Sequence, residues 1–415
     1  MTLMTTSQAI VRWLTAQKII IDGEVKPYFA GTFAIFGHGN ALSLGDALAD
    51  SQNEMQTFRG QSEEGMGLAA VAYAKAMRRQ QCMVVTTSIG PGALNVITAA
   101  GTALANRLPM LILVGDTFQS RTPDPVLQQV EHFGEPSTTV NDAFRPVVRF
   151  WDRITNPAQI LTALPQALMT MLDPASCGPT FFALPQDIQA TAFDFPDGFF
   201  NETIHEIPRP RPALTEISKC VALINESKRP VLIAGGGVHY SLSETEFAAF
   251  AKEQQIPVVE TMAGKSTLPW RDPLLVGPVG VTGSDPVNAL IMESDLIIAI
   301  GTRLQDFTTG SWTLFGDTKI IAINAARFDA TKRHAIAVVG DAQATISELR
   351  IQVKPTNRAE WIARAKTLKN DCLNLRNMRE KLSTELPTYA QVVIAANEIA
   401  QPEDYVLTAA GGLPG

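Results

Sequence analysis

The sequence predicts an α/β protein: two consecutive three-layer αβα domains with parallel sheets, followed by the start of a third. Three observations predict it. Short, uniformly apolar runs bounded by Gly or Pro alternate with longer stretches of helical period, the pattern of strands covered on both faces. A run of chain breakers at 186–213, holding FPDG and PRPRP, divides the chain. The same alternation then resumes.

In residues 1–185 the runs FAIF (33–36), MVVTTS (83–88), MLILVG (110–115) and TFFAL (180–184) predict strands, and 65–79 and 93–106 predict helices rich in small residues. Residues 186–213 are expected to be a linker. In residues 214–353 the strands are PVLIAGGG (230–237), PVVE (257–260), DLIIAIG (295–301), KIIAIN (319–324) and IAVVGD (336–341), with a helix at 243–254. The charged stretch 354–386 reads as a bridging helical linker. Residues 387–415 open a third domain with a helix from Tyr389 and a strand at 404–412.

At 415 residues the chain is too long for one domain. Its 46% hydrophobic and 18% charged residues suit a packed globular protein. A net charge of −7 with no basic stripe argues against nucleic-acid and acidic-membrane partners. Cys82, Cys177, Cys220 and Cys372 form no CxxC, which fits reduced thiols rather than a disulfide framework. No apolar run approaches the length of a membrane span, so a cytoplasmic protein is expected.

Three loops fall at the carboxyl ends of predicted strands, where open α/β sheets bind ligands. They are GHGN (37–40), TSIGPGALN (87–95) and VGDT (114–117). A fourth segment, SEEGMGLAAVAYA (62–74), sets Glu63 and Glu64 ahead of a helix. Carboxylates there can simply cap free N–H groups and complement the helix dipole. The following Gly-Met-Gly speaks for more, because a helical Gly costs about 1 kcal/mol relative to Ala. Some neighbour must approach that backbone closely. Gly90-Pro91-Gly92 is either a tight turn with Pro at the first helical position or a cofactor loop.

Taken together, RGQSEEGMGLAAVAYAKA, TTSIGPGALNVITAAGTALANRLPMLILVGD and GPTFFALPQDIQ resemble, in order and spacing, the pyrimidine-binding domain of thiamine diphosphate enzymes of the acetolactate synthase type. RPVLIAGGGV, IPVVETMAGKS, DLIIAIGTRLQDFTTG and KIIAINAARFD resemble that family's middle domain. TFAIFGHGN, DTFQSRTPDPVLQQVEHF, NDAFRPVVRFWDRI and GVTGSDPVN are similar to the branch that opens cyclic diones in inositol catabolism. GHGN and TPDPVLQQ depart from the acetolactate synthase pattern itself.

The resemblance implies thiamine diphosphate as cofactor and Glu63 as the carboxylate that activates its aminopyrimidine ring. Counting ten residues back from Tyr73 reaches Glu63, not Glu64. Gly37, Ser88, Gly90, Pro91, Asn95 and Gln128 are then expected beside the cofactor, with Asp116 and Thr117 on the same wall. Gln128 and its neighbour Gln129 either orient a substrate hydroxyl or face solvent. His38, between two glycines, either moves protons at the substrate or satisfies a loop carbonyl. Arg303 and Asp306 read as an internal ion pair. FAD is not expected, because Gly235-Gly236-Gly237 lacks GxGxxG spacing.

The implied activity is hydrolytic cleavage of the carbon–carbon bond between adjacent carbonyls of a polyhydroxylated ring. A 2-oxo-acid carboligase or decarboxylase, or a non-catalytic oligomerisation subunit, are the alternatives. The family holds the cofactor's diphosphate through Mg²⁺ with a GDG motif, and no GDG occurs here. The Mg²⁺ ligands are therefore expected beyond Gly415, in a diphosphate-binding domain absent from the chain, which by itself should bind the cofactor poorly. The resemblance also implies a homo-oligomer, dimer or tetramer, with sites between subunits.

Overall fold

Every residue of three strands in the first sheet is buried, which is why each reads as an unbroken apolar run. They belong to a six-stranded sheet made of β1 (Phe29–Ala34), β2 (Thr57–Arg59), β3 (Cys82–Thr87), β4 (Met110–Asp116), β5 (Phe150–Arg153) and β6 (Pro179–Pro185). The order is β2-β1-β3-β4-β6-β5 and every pairing is parallel. The run at 33–36 catches only the end of β1, since Gly31 interrupts its apolar residues. The edge strands β2 and β5 are partly exposed, and so carry no buried-strand signal.

This computed structural model describes all residues except 124, 125, 128, 129, 131, 133, 384, 402 and 407–415. It forms two units, Met1–Pro208 and Arg209–Gly415. In the first, α1 (Glu63–Ala76), α2 (Pro91–Leu94) and α3 (Ile97–Asn106) follow β2 and β3. The single helix expected at 93–106 is thus two, broken at Asn95–Val96. A Cβ on Gly67 would lie 2.6 Å from the Ala99 Cβ. The close neighbour that Gly-Met-Gly called for is therefore α3. The opposite face of the sheet, including Val84, Leu111, Leu113 and Phe182, packs with α4 (Ile160–Leu172) through Leu164, Leu168 and Met171.

Residues 186–205 carry structure rather than bare linker. The short helix α5 (Gln186–Ala190) follows β6 directly. Ala192–Phe195 then pairs antiparallel with Thr2–Thr5, and Thr203–His205 pairs parallel with Gln17–Ile21. Phe193, Phe195, Phe199 and Phe200 stack edge to face in this stretch and anchor it. Its prolines and glycine mark turns between short elements.

The second unit is another all-parallel six-stranded sheet: β7 (Pro230–Ala234), β8 (Val258–Glu260), β9 (Leu275–Pro278), β10 (Leu296–Ile300), β11 (Lys319–Asn324) and β12 (Ile336–Val339). The order is β9-β8-β7-β10-β11-β12. Helices α6 (Leu214–Glu226) and α7 (Glu244–Glu253) end near the guanidinium of Arg358. That buried group donates to the carbonyls of Ile224, Ser227 and Gln254, satisfying C-terminal orphans of both helices. The helix expected to bridge, α8 (Ala359–Glu380), instead packs on this unit through Trp361, Ala365 and Leu368. The Trp361 indole N–H donates to the Pro230 carbonyl at 2.8 Å. A helix Tyr389–Ile399 follows. Of the strand expected at 404–412, residues 404–406 carry no regular element and the rest lies outside the described residues.

Candidate cofactor site

In the first sheet β1 is flanked by β2 on one side and β3 on the other, so its switch point is the crevice beyond the carboxyl ends of β1 and β3. The two loops that leave these ends are stitched together. The Asn40 carboxamide accepts from the Gly37 N–H at 2.9 Å and donates to the Thr86 hydroxyl at 3.1 Å. The Ser88 hydroxyl accepts from the Gly39 N–H at 3.3 Å. Gly90 has φ +66°, a left-handed value that glycine tolerates, and lets the chain turn into Pro91 and α2.

Glu63 enters this crevice from the first turn of α1. Ser62 caps the helix, its hydroxyl accepting from the Gly65 N–H at 3.1 Å, so the Glu63 carboxylate is free for other partners. Asn95, in the break between α2 and α3, donates its side-chain N–H to Glu63 Oε2 at 3.1 Å. Glu63 Oε1 and the Thr87 hydroxyl each lie 3.3 Å from the point where a Cβ on Gly92 would sit, and Ser88 Cβ lies 3.9 Å from it. Glycine at 92 thus leaves a space walled by a carboxylate oxygen and a hydroxyl. The Thr87 Oγ1 is enclosed and has no hydrogen-bond partner among the described residues, and the same holds for His38 Nε2. An enclosed polar atom without a partner costs about 1–3 kcal/mol, so each calls for an explanation such as a bound water or ligand.

Among the expected residues, Glu63, Asn95, Ser88 and the 37–40 loop are therefore gathered at one crevice. Gly90 and Pro91 shape the turn, and Pro91 is exposed. Glu64 is exposed. Gln128 and Gln129 lie outside the described residues. Asp116 is 1% exposed and both its oxygens are taken. Oδ2 accepts from Arg153 Nε at 2.6 Å and Oδ1 from the Thr117 N–H at 2.9 Å. Arg153 also reaches Asp142 at 2.7 Å and the Thr139 hydroxyl at 2.9 Å. Burial pushes the Asp142 carboxyl up, but the Thr139 N–H and the guanidinium groups of Arg153 and Arg145 outweigh it, and it ends below its ordinary value. This ion network is a girder at the end of β4, with no carboxylate oxygen of Asp116 left over.

Sequence reasoning missed Gly92 and Thr87 as walls of the crevice, although both stand inside a motif it singled out. It also missed Asn40 and Arg153, whose partners are remote in sequence. The donor set suits an aminopyrimidine. One carboxylate oxygen faces the gap and could accept from a ring nitrogen, its twin is held by an amide, and the missing side chain at 92 makes room. Among the described residues, no group of three or more His, Cys, Asp or Glu is placed to hold a metal.

Residues 29–134 match the family model for the thiamine pyrophosphate enzyme N-terminal TPP binding domain, and 217–349 match that for the thiamine pyrophosphate enzyme central domain. The 3D-(3,5/4)-trihydroxycyclohexane-1,2-dione hydrolase of Geobacillus thermodenitrificans (strain NG80-2) is 40% identical over 436 residues, covering 99% of this chain and 68% of the relative. That of Listeria monocytogenes serotype 4b (strain F2365) is 42% identical over 439 residues, covering 99% and 69%. The Bacillus subtilis (strain 168) protein of the same name is 39% identical over 440 residues, with the same shares. With both thiamine enzyme domains matched in order and this similarity running the length of the chain, the protein belongs to the 3D-(3,5/4)-trihydroxycyclohexane-1,2-dione hydrolase family of thiamine pyrophosphate enzymes.

Proposed function

We propose that this protein is a thiamine diphosphate-dependent hydrolase that opens the ring of 3D-(3,5/4)-trihydroxycyclohexane-1,2-dione to 5-deoxy-glucuronate, with Glu63 as the residue that activates the cofactor. The observation that carries the role of Glu63 is its carboxylate, held by Asn95 at 3.1 Å and facing the gap at Gly92. The substrate follows from the names of the relatives. When bound, the cofactor supplies a nucleophilic carbon that also accepts the electron pair of the breaking carbon–carbon bond. Glu63 Oε1 accepts from the aminopyrimidine, while Asn95 fixes Oε2 and so the plane of the carboxylate. His38 carries protons to and from substrate oxygens. Ser88 and Asn40 hold the His38 loop against β3.

The same reading includes Mg²⁺ as the counter-ion of the diphosphate and a homo-oligomer with sites between subunits. Leu68 and Leu94, each 38% exposed on the helices that bring Glu63 and Asn95, support a covered surface there. Four free cysteines suit a reducing cytoplasm.

The test is turnover of the cyclic dione by the complete gene product with thiamine diphosphate and Mg²⁺, with pyruvate as the competing substrate. Carboxylate formed from the dione is expected. Acetolactate formed from pyruvate in its place overturns the substrate assignment. Glu63→Gln keeps a hydrogen-bond acceptor but not the negative charge, and is expected to lower kcat by about 10²–10⁴-fold with the melting temperature unchanged. Retained turnover removes Glu63 from the role.

A further inference from the structure

The short helix α5, whose residues have no part in the function proposed above, touches the β1 loop that borders the crevice and the segment that leaves β4. Gln189, 2% exposed, donates its side-chain N–H to the Gly39 carbonyl at 2.7 Å and to the Leu184 carbonyl at 2.8 Å. The Gly39 carbonyl belongs to the Gly39–Asn40 peptide, one residue on from His38. It also passes 2.5 Å from where a Cβ on Gly115 would sit, so β4 leaves it no room to swing. On the other side of α5, Asp187 accepts from the Gln119 N–H and the Ser120 N–H, one at each carboxylate oxygen and both at 2.9 Å. These two peptides open the segment that runs from β4 toward 124–133. Residues two apart on a helix point in different directions, which lets one turn of helix grip two loops.

We propose that Asp187 and Gln189 are positioning residues, and that α5 is a shared clamp. Gln189 holds the loop of His38, and Asp187 holds the start of the 117–123 segment. The clamp follows β6, a fully buried strand paired on both sides, so both loops are referenced to the interior of the first sheet. The catalytic consequence rests on the proposed role of His38; the clamping does not.

The experiment compares Gln189→Met and Asp187→Asn with the unaltered protein, each as the complete gene product with thiamine diphosphate and Mg²⁺, by hydrogen–deuterium exchange and by steady-state turnover of the cyclic dione. Losing one hydrogen bond of this kind is expected to raise local exchange about tenfold. Gln189→Met should do so in peptides covering 37–45 and leave 117–123 as it was, while Asp187→Asn should do the reverse. Gln189→Met should also lower kcat about tenfold with KM kept, because the bond it removes orients a proton carrier rather than binding substrate. Gln189→Asn, which keeps the amide but falls one methylene short, is read in the same way if the Met variant does not fold. Exchange that rises equally in both loops, or in neither, overturns the clamp. Selective exchange with unchanged kcat overturns the catalytic consequence. If the unaltered protein does not turn over the dione, the substrate reading falls and the exchange pattern still decides the clamp.

Discussion

Both sheets carry a glycine-rich loop at their switch point, and the two loops do opposite things. Beyond β1 and β3 the loops are tied by side chains, and Gly92 leaves a gap faced by Glu63 and Thr87. Beyond β7 and β10 they close on each other through backbone. The Gly237 N–H donates to the Gly301 carbonyl at 2.9 Å, and a Cβ on Gly237 would lie 2.5 Å from Gly301 Cα. Gly235-Gly236-Gly237 thus has a packing reason to be glycine. Glycine at a strand end reports that something comes close, and whether that something is a ligand or the neighbouring loop is a separate matter. The girders differ too: the first unit braces its crevice with buried charge around Arg153, the second with backbone contact.

The largest expected effect strikes the first girder. Arg153→Met leaves the Asp116 carboxylate buried without its partner, which should destabilise the first unit by about 3–5 kcal/mol in thermal or urea unfolding. An effect below 1 kcal/mol would show that the charge network is not what holds this end of the sheet. Next come two glycine substitutions with opposite signatures. Gly237→Ala forces a methyl into backbone and should cost about 1–3 kcal/mol of stability while leaving thiamine diphosphate affinity of the complete gene product unchanged. Gly92→Ala lies in a helix and should leave stability nearly untouched, yet the methyl fills the gap and should weaken cofactor binding about tenfold. Titration calorimetry and melting curves separate the two, and a common signature would erase the contrast.

The smallest effect is in pH dependence, and its sign differs between units. The Asp142 carboxyl is held below its ordinary value, so its stabilisation is present above about pH 4 and lost as pH falls through its lowered folded value. Burial raises the Glu260 carboxyl at the end of β8, an effect that the Ser266 N–H at 3.0 Å only partly offsets. Its contribution is therefore favourable below about pH 4 and lost as pH rises through its raised folded value. Glu260→Gln keeps the acceptor and should stabilise the second unit at pH 7 but not at pH 4. A gain of equal size at both pH values would assign it to packing instead.

Much of this was legible along the chain. Buried parallel strands are continuous apolar runs, so eight of the twelve strands of the two six-stranded sheets stand out, in β3, β4, β6, β7, β8, β10, β11 and β12, and the end of β1 with them. The spacing to Tyr73 singled out Glu63, and the crevice places that carboxylate beside Asn95. The edge strands β2 and β5 escaped because none of their residues is fully buried, and β9 escaped because its LVGP is too short and too broken by Gly and Pro to read as a run. The packing of α8 escaped because three buried residues, Trp361, Ala365 and Leu368, are scattered among charges on a helix with little apolar contrast between its faces.

By itself the sequence determined the class of fold and the family, and it singled out Glu63 within its motif, because these depend on local period and on motifs whose members lie close along the chain. Only the tertiary structure decided what each conspicuous residue is for. Gly67 serves Ala99, Asp116 serves Arg153, and Gln189 reaches Gly39 across 150 residues. A hydrogen bond or a steric contact depends on distance in space, and no pattern along the chain records which distant carbonyl a buried amide will meet.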